Sequence, residues 1–93
     1  MSEQKIETEV WFSGLVQGVG FRYETLKVAK GYEVTGFVEN LSDGRVHLLA
    51  QGDPTETKEF VEAVGERLSD YIRDTQQQSH PCESSLGSFQ IRR

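Results

Sequence analysis

Cysteine is almost absent from this sequence, with Cys82 the single example in 93 residues. An internal disulfide framework and a Cys-x-x-Cys zinc or redox site are therefore excluded. Proline occurs only twice, and neither an internal repeat nor a linker long enough to divide the chain is present. No apolar run approaches the about 20 residues that a membrane-spanning helix needs. The opening residues, Met1-Ser2-Glu3-Gln4-Lys5, lack the basic start and apolar stretch of a signal peptide. A reducing, cytoplasmic location without membrane attachment is the expectation. A basic excess is also missing: 10 Lys and Arg stand against 15 Asp and Glu, for a formal net charge of -5. That balance argues against nucleic acid as a partner. It leaves room for one small, locally positive pocket for an anion.

What is present fits a folded chain. Hydrophobic residues make up 35% and charged residues 27%. Residues 1–93 are expected to form one domain that buries somewhat more than ~60% of its unfolded surface. Ile6, Thr8, Val10 and Phe12 alternate with Glu7, Glu9 and Trp11, so a half-buried strand is predicted over 6–13. Phe21, Thr25, Val28, Ala29 and Tyr32 recur at helical spacing, and Gly31 is placed to end a helix over 22–30. Strands over 33–41 and 45–51 flank Ser42-Asp43-Gly44, whose Asp-Gly pair favours a tight hairpin. Asp53, Pro54 and Glu56 have the spacing of a helix cap, proline first turn and capping box. Phe60, Val61, Val64 and Leu68 form the stripe of that second helix, in which Gly65 points to close backbone packing.

Beyond Ser69 the pattern thins. Tyr71 and Ile72 open a possible fourth strand, Gln76 to Pro81 reads as polar and turn-like, and Phe89 with Ile91 suggests a short closing strand. The order β-α-β-β-α-β implies an α+β, ferredoxin-like sandwich: an antiparallel sheet of four or five strands with both helices on one face. Trp11 is read as packing against a helix, and His47 as a surface residue.

The segment with chemical content is Gly14-Leu15-Val16-Gln17-Gly18-Val19-Gly20-Phe21-Arg22. It holds three glycines and runs into a helix, whose first N–H groups are unpaired and whose dipole end is positive. Glycines let consecutive amides turn toward one anion. Arg22 stands where a guanidinium could clamp two phosphate oxygens. Position 23 is Tyr, so the dinucleotide fingerprint is incomplete, and no Gly-Lys-Ser/Thr follows as in a Walker loop. Glycine content alone leaves a structural turn and a phosphate cradle equally open.

This loop resembles the Gly-x-Val-Gln-Gly-Val-x-Phe-Arg signature of the acylphosphatase family. Gly36-Phe37-Val38-Glu39-Asn40-Leu41-Ser42-Asp43-Gly44-Arg45-Val46 is similar to that family's Gly-x-Val-x-Asn-x-x-Asp-Gly-x-Val. Gln51-Gly52 and the ending Phe89-Gln90-Ile91-Arg92-Arg93 add to the likeness. The departure is at Arg67-Leu68-Ser69-Asp70-Tyr71-Ile72, where members commonly carry Gly-Pro and small apolar residues.

The resemblance implies the same βαββαβ fold and hydrolysis of acyl phosphates to a carboxylate and inorganic phosphate, without a metal, a cofactor or a covalent intermediate. By motif position, Arg22 would bind the phosphoryl group and Asn40 would orient the attacking water. The amides of Leu15, Val16, Gln17, Gly18, Val19, Gly20 and Phe21 would hold the phosphoryl oxygens. Asp43-Gly44 is read as turn chemistry. Inorganic phosphate is expected as product and inhibitor, and the chain is expected to be a stand-alone monomer. The alternatives are a non-catalytic anion-binding regulatory module and a carbamoyl-phosphate-handling domain of the same fold. An RNA-binding sheet is disfavoured, because Val46-His47-Leu48-Leu49 lacks the aromatic pattern it requires.

Overall fold

Alternation builds the first strand, β1 (Ile6–Gly14), with two distinct faces. Thr8, Val10 and Phe12 are buried, while Glu7, Glu9 and Trp11 share the other side. The computed structural model describes residues 5–82 and 84–93, so the signal-peptide reading of residues 1–4 lies outside the described residues. After β1 come α1 (Phe21–Ala29), β2 (Thr35–Asn40), β3 (Val46–Gly52), α2 (Pro54–Arg67), β4 (Ile72–Pro81) and β5 (Gln90–Arg92).

The strands form one sheet in the order β4-β1-β3-β2-β5. Both helices cover the same face, where Val10, Phe12, Val38, Leu48 and Ala50 meet Phe21, Ala29, Phe60, Val61 and Val64 in one core. Phe60 is fully buried, with ring centroids 5.9 Å from Tyr32 and 5.4 Å from Phe89. Its truncation to Ala would cost about 3–5 kcal/mol. The α+β ferredoxin-like architecture is therefore as expected, with one pairing that is not antiparallel. β5 runs parallel to β2, placing Ile91 opposite Val38 and Arg92 opposite Glu39.

Several local readings are corrected. Gln76 to Pro81 is not a turn but most of β4, which pairs with β1 along its length. It is an edge strand whose residues after Ile72 are all exposed, so polar side chains are tolerated on both of its faces. Residues 41–45 form a five-residue connection closed by the Leu41 N–H to the Arg45 carbonyl at 2.9 Å, wider than a two-residue hairpin. Asp53 caps α2 by accepting from the Thr55 N–H, but the capping box does not close. Glu56 Oε1 instead accepts from the Glu33 N–H at 2.9 Å, serving a donor at the entry to β2. A Cβ on Gly65 would meet nothing within 4 Å, so no close packing requires that glycine.

The helix-free face carries its own cluster. Trp11 packs there on His47, with rings 5.2 Å apart at 21°, rather than against a helix. His47 is not a free surface residue: its Nε2 lies 3.0 Å from Glu9 and its Nδ1 2.8 Å from Glu39. Strand register explains both, since Trp11 pairs with His47 across β1–β3 and Glu39 with His47 across β2–β3.

Candidate functional site

The loop after β1 begins under a backbone constraint. At Gly14 φ is 130°, and a Cβ would stand 2.4 Å from the Tyr71 carbonyl oxygen and 2.8 Å from the Arg73 nitrogen. The strand therefore leaves the sheet at a point only glycine can occupy. The Leu15 N–H donates to that same Tyr71 carbonyl at 2.9 Å. Leu15's amide is thus committed to the fold, and it is not available to the phosphoryl group as the motif had implied.

Gly18 and Gly20 both adopt φ of 80°, with open space where a Cβ would be. Backbone shape, not crowding, calls for glycine here. Gly20 is the N-cap of α1 in a left-handed conformation, and no side chain caps the helix. The first α1 bond runs from the Glu24 N–H to the Gly20 carbonyl at 3.0 Å. The N–H groups of Phe21, Arg22 and Tyr23 precede it and have no partner within the helix. A left-handed residue feeding a right-handed helix is the backbone shape that gathers amides around an anion.

A cleft of about 230 Å³ opens at this point, lined by Val16, Gly18, Gly20, Phe21, Arg22, Tyr23, Asn40, Ile91 and Arg93. It brings together the loop, the start of α1, the end of β2 and the end of β5. No carboxylate is among these residues. Arg45 and Arg67 are engaged by Asp43 and Glu24 at 2.9 and 2.8 Å. Among the described residues, neither Arg22 nor Arg93 is held in such a pair. Asn40 Oδ1 is buried and accepts no hydrogen bond from the described residues. A buried acceptor left in that state costs about 1–3 kcal/mol unless a donor reaches it.

The Gln17 side chain has a role beyond the amide its motif position assigned. Its carboxamide NH2 donates to the carbonyls of Leu41 and Arg45 at 2.8 and 2.9 Å. The side chain therefore straps the glycine loop to the connection that begins one residue after Asn40. Val19 is exposed in the loop and, like Leu15 and Gln17, does not line the cleft. Asp43 serves the turn: it accepts from the Arg45 N–H at 3.1 Å and from Arg45 Nε at 2.9 Å. Those hydrogen bonds, the backbone one foremost, hold its carboxyl below the usual aspartate range. Among the described residues no group of three or more His, Cys, Asp or Glu is arranged to hold a metal ion, and no helix is long and apolar enough to cross a membrane.

Motif reasoning did not assign Ile91 and Arg93 to the cleft. Their signal was in the ending Phe89-Gln90-Ile91-Arg92-Arg93, but its position depends on the parallel pairing of β5 with β2. An unpaired reading of a three-residue strand carries no such direction.

Comparison with known proteins agrees with this architecture. The family model for acylphosphatase matches residues 8–91. An acylphosphatase of Bacillus velezensis is 45% identical over 69 residues, covering 72% of this chain and 77% of the relative. An acylphosphatase of Lacticaseibacillus paracasei is 34% identical over 89 residues, covering 94% and 96%. The crystal structure of acylphosphatase from Bacillus subtilis superposes with a TM-score of 0.85 at 30% identity, covering 95% of this chain and 99% of that one. A match across nearly the whole chain, at the level of both sequence and fold, places this protein in the acylphosphatase family.

Proposed function

We propose that the chain hydrolyses acyl phosphates in the cleft between the glycine loop and β2, with Arg22 and Asn40 as its catalytic residues. The observation that carries this reading is the buried, unpartnered Oδ1 of Asn40 in the same cleft as Arg22 and the uncapped start of α1. A phosphoryl group seated against the amides from Val16 to Phe21 would have its charge met by Arg22, with Arg93 as a second cation. A water hydrogen-bonded to the Asn40 carboxamide, once its side chain turns toward the cleft, would be held in one direction. A carboxamide is not a base near neutral pH, so its work is orientation.

The reaction then needs little else. The water oxygen forms a new bond to phosphorus while the bond from phosphorus to the acyl oxygen breaks. The acyl group leaves with the electron pair as a carboxylate, and both water protons end on the phosphate. The carboxylate is a good leaving group, which is why a site without a general acid suffices. Positioning and charge stabilisation carry the step.

The test uses benzoyl phosphate in the presence of a chelator. Wild-type turnover is expected to persist under chelation, and inorganic phosphate to inhibit competitively. Arg22→Gln and Asn40→Ala should each lower kcat by about 10²–10³-fold, the usual cost of one lost charge-stabilising donor or its equivalent. Phosphate binding should weaken in Arg22→Gln and persist in Asn40→Ala. Phosphate binding by a wild-type protein that does not accelerate hydrolysis would identify an anion-binding module instead.

A further inference from the structure

Among the described residues, four large hydrophobic side chains are exposed: Leu15 at 66%, Val19 at 38%, Tyr23 at 60% and Tyr71 at 37%. Three of them lie within nine residues of one another, and the fold brings the fourth beside them. Leu15 and Val19 belong to the glycine loop, Tyr23 is in the first turn of α1, and Tyr71 is tied to Leu15 through a backbone hydrogen bond of 2.9 Å. Among the described residues, the other large apolar side chains are buried or half-buried, most of them in the core between sheet and helices. An apolar fringe gathered at one functional edge marks a place where apolar surface is to be covered.

Of these four, Tyr23 is the one that lines the cleft, beside Arg22, and the Lys27 ammonium lies 5.5 Å from its ring centroid. Ile91 extends the apolar lining on the opposite strand. The polar end of the cleft suits a phosphoryl group, so whatever is attached to that group leaves the cleft across Tyr23 and the loop.

From this the geometry points to acyl phosphates with an aromatic or extended aliphatic acyl group as the substrate class, and to Tyr23 as the residue that selects them. The inference rests on the proposed function, because the fringe has an acyl group to receive only if the cleft holds its phosphate. The acyl group lies against the Tyr23 ring, with Leu15 and Val19 at the margin. Small acyl groups such as acetyl are too short to gain from that contact.

The experiment measures kcat/KM for benzoyl phosphate and acetyl phosphate with wild type, Tyr23→Ala and Tyr23→Phe. Taking the quotient of the two substrates, and comparing it between variants, cancels their different intrinsic reactivities. Tyr23→Ala should lower the benzoyl-to-acetyl quotient about tenfold, the scale of discrimination that a modest apolar contact supplies. Tyr23→Phe, which keeps the ring, should hold the quotient within about twofold of wild type. The inhibition constant of inorganic phosphate should not move in either variant, because phosphate does not reach the ring. An unchanged quotient in Tyr23→Ala overturns the assignment, as does a loss in Tyr23→Phe equal to that in Tyr23→Ala. A wild-type protein inactive on both substrates refutes the underlying hydrolase reading instead, so the two failures are distinct.

Discussion

Gln17→Ala separates the positioning of the glycine loop from the chemistry inside it. The substitution removes two hydrogen bonds, to the carbonyls of Leu41 and Arg45 at 2.8 and 2.9 Å. Neither acceptor is orphaned by the loss. The Leu41 carbonyl still receives the Gly44 N–H at 3.2 Å, and the Arg45 carbonyl still receives the Leu41 N–H at 2.9 Å. The stability cost is therefore the net worth of two exposed hydrogen bonds, about 1–2 kcal/mol in total. For a domain this small, that corresponds to a fall in Tm of about 4–16 °C. Catalysis should suffer more, because the strap sets the distance between the loop and the strand end bearing Asn40. A displacement of about 1 Å at such a point costs on the order of 10²-fold in rate. The assay pairs thermal unfolding with benzoyl phosphate kinetics, in Gln17→Ala alone and combined with a stabilising Gly65→Ala. The double variant should recover about half of the lost Tm and none of the lost kcat. Recovery of kcat along with Tm, or wild-type kcat in the single variant, would refute a positioning role for Gln17.

Gly65→Ala itself should raise stability by about 0.5–1 kcal/mol, because the new methyl meets nothing within 4 Å; chemical denaturation measures it, and a lower midpoint would reject the reading. Gly14→Ala should cost about 3 kcal/mol or more, since strain at positive φ adds to a backbone clash, whereas Gly18→Ala has no clash and should cost about 1–2 kcal/mol; equal losses in Tm would contradict the distinction. Partial burial pushes the Glu9 carboxyl up, but hydrogen bonds from His47 and Gln78 and the His47 charge outweigh it and hold the group below its usual range. The unfolded chain then takes up a proton near pH ~4.3 while folded Glu9 remains ionised, so this contribution to stability is intact above that pH and is lost as pH falls through the folded value. Urea midpoints between about pH 5 and 3 should fall less steeply in Glu9→Gln than in wild type; parallel slopes would remove Glu9 from the acid response.

How far the sequence could be read depended on what each residue's signal refers to. Thr8, Val10 and Phe12 report their burial through local alternation, and local periodicity likewise predicts β2, β3 and, at helical spacing, the stripe of α2 within a residue or two. β4 defeats that rule because Gln76, Gln77 and Gln78 belong to an edge strand exposed on both faces, so neither face needs apolar residues. Glu56 has the spacing of a capping box, yet its acceptor goes to Glu33, a partner 23 residues away that no local pattern names. Trp11 and His47 look like isolated positions until register sets them side by side. In the candidate site, Arg22 and Asn40 were legible because the motifs keep a fixed distance from the loop and the hairpin. The Gln17 strap was not, since motif position points to its amide and only the tertiary contact involves its side chain.

The charge distribution reconciles a net charge of -5 with the phosphoryl site proposed above. What acts on a bound anion is the charge within about 8 Å, the screening length at physiological ionic strength. Near the glycine loop, ion pairing decides that local balance. Glu24, on the turn of α1 just past the cleft, is taken up by Arg67 at 2.8 Å and Lys27 at 3.8 Å. Asp43, in the connection after Asn40, is taken up by Arg45. Glu9 and Glu39 are turned to the helix-free face, where both meet His47. The acidic groups closest in sequence to the site are thus neutralised or directed away, while the cleft keeps Arg22 and Arg93 without a carboxylate in its lining. The net charge therefore does not fix the charge in the cleft lining, to which the parallel docking of β5 adds the second cation.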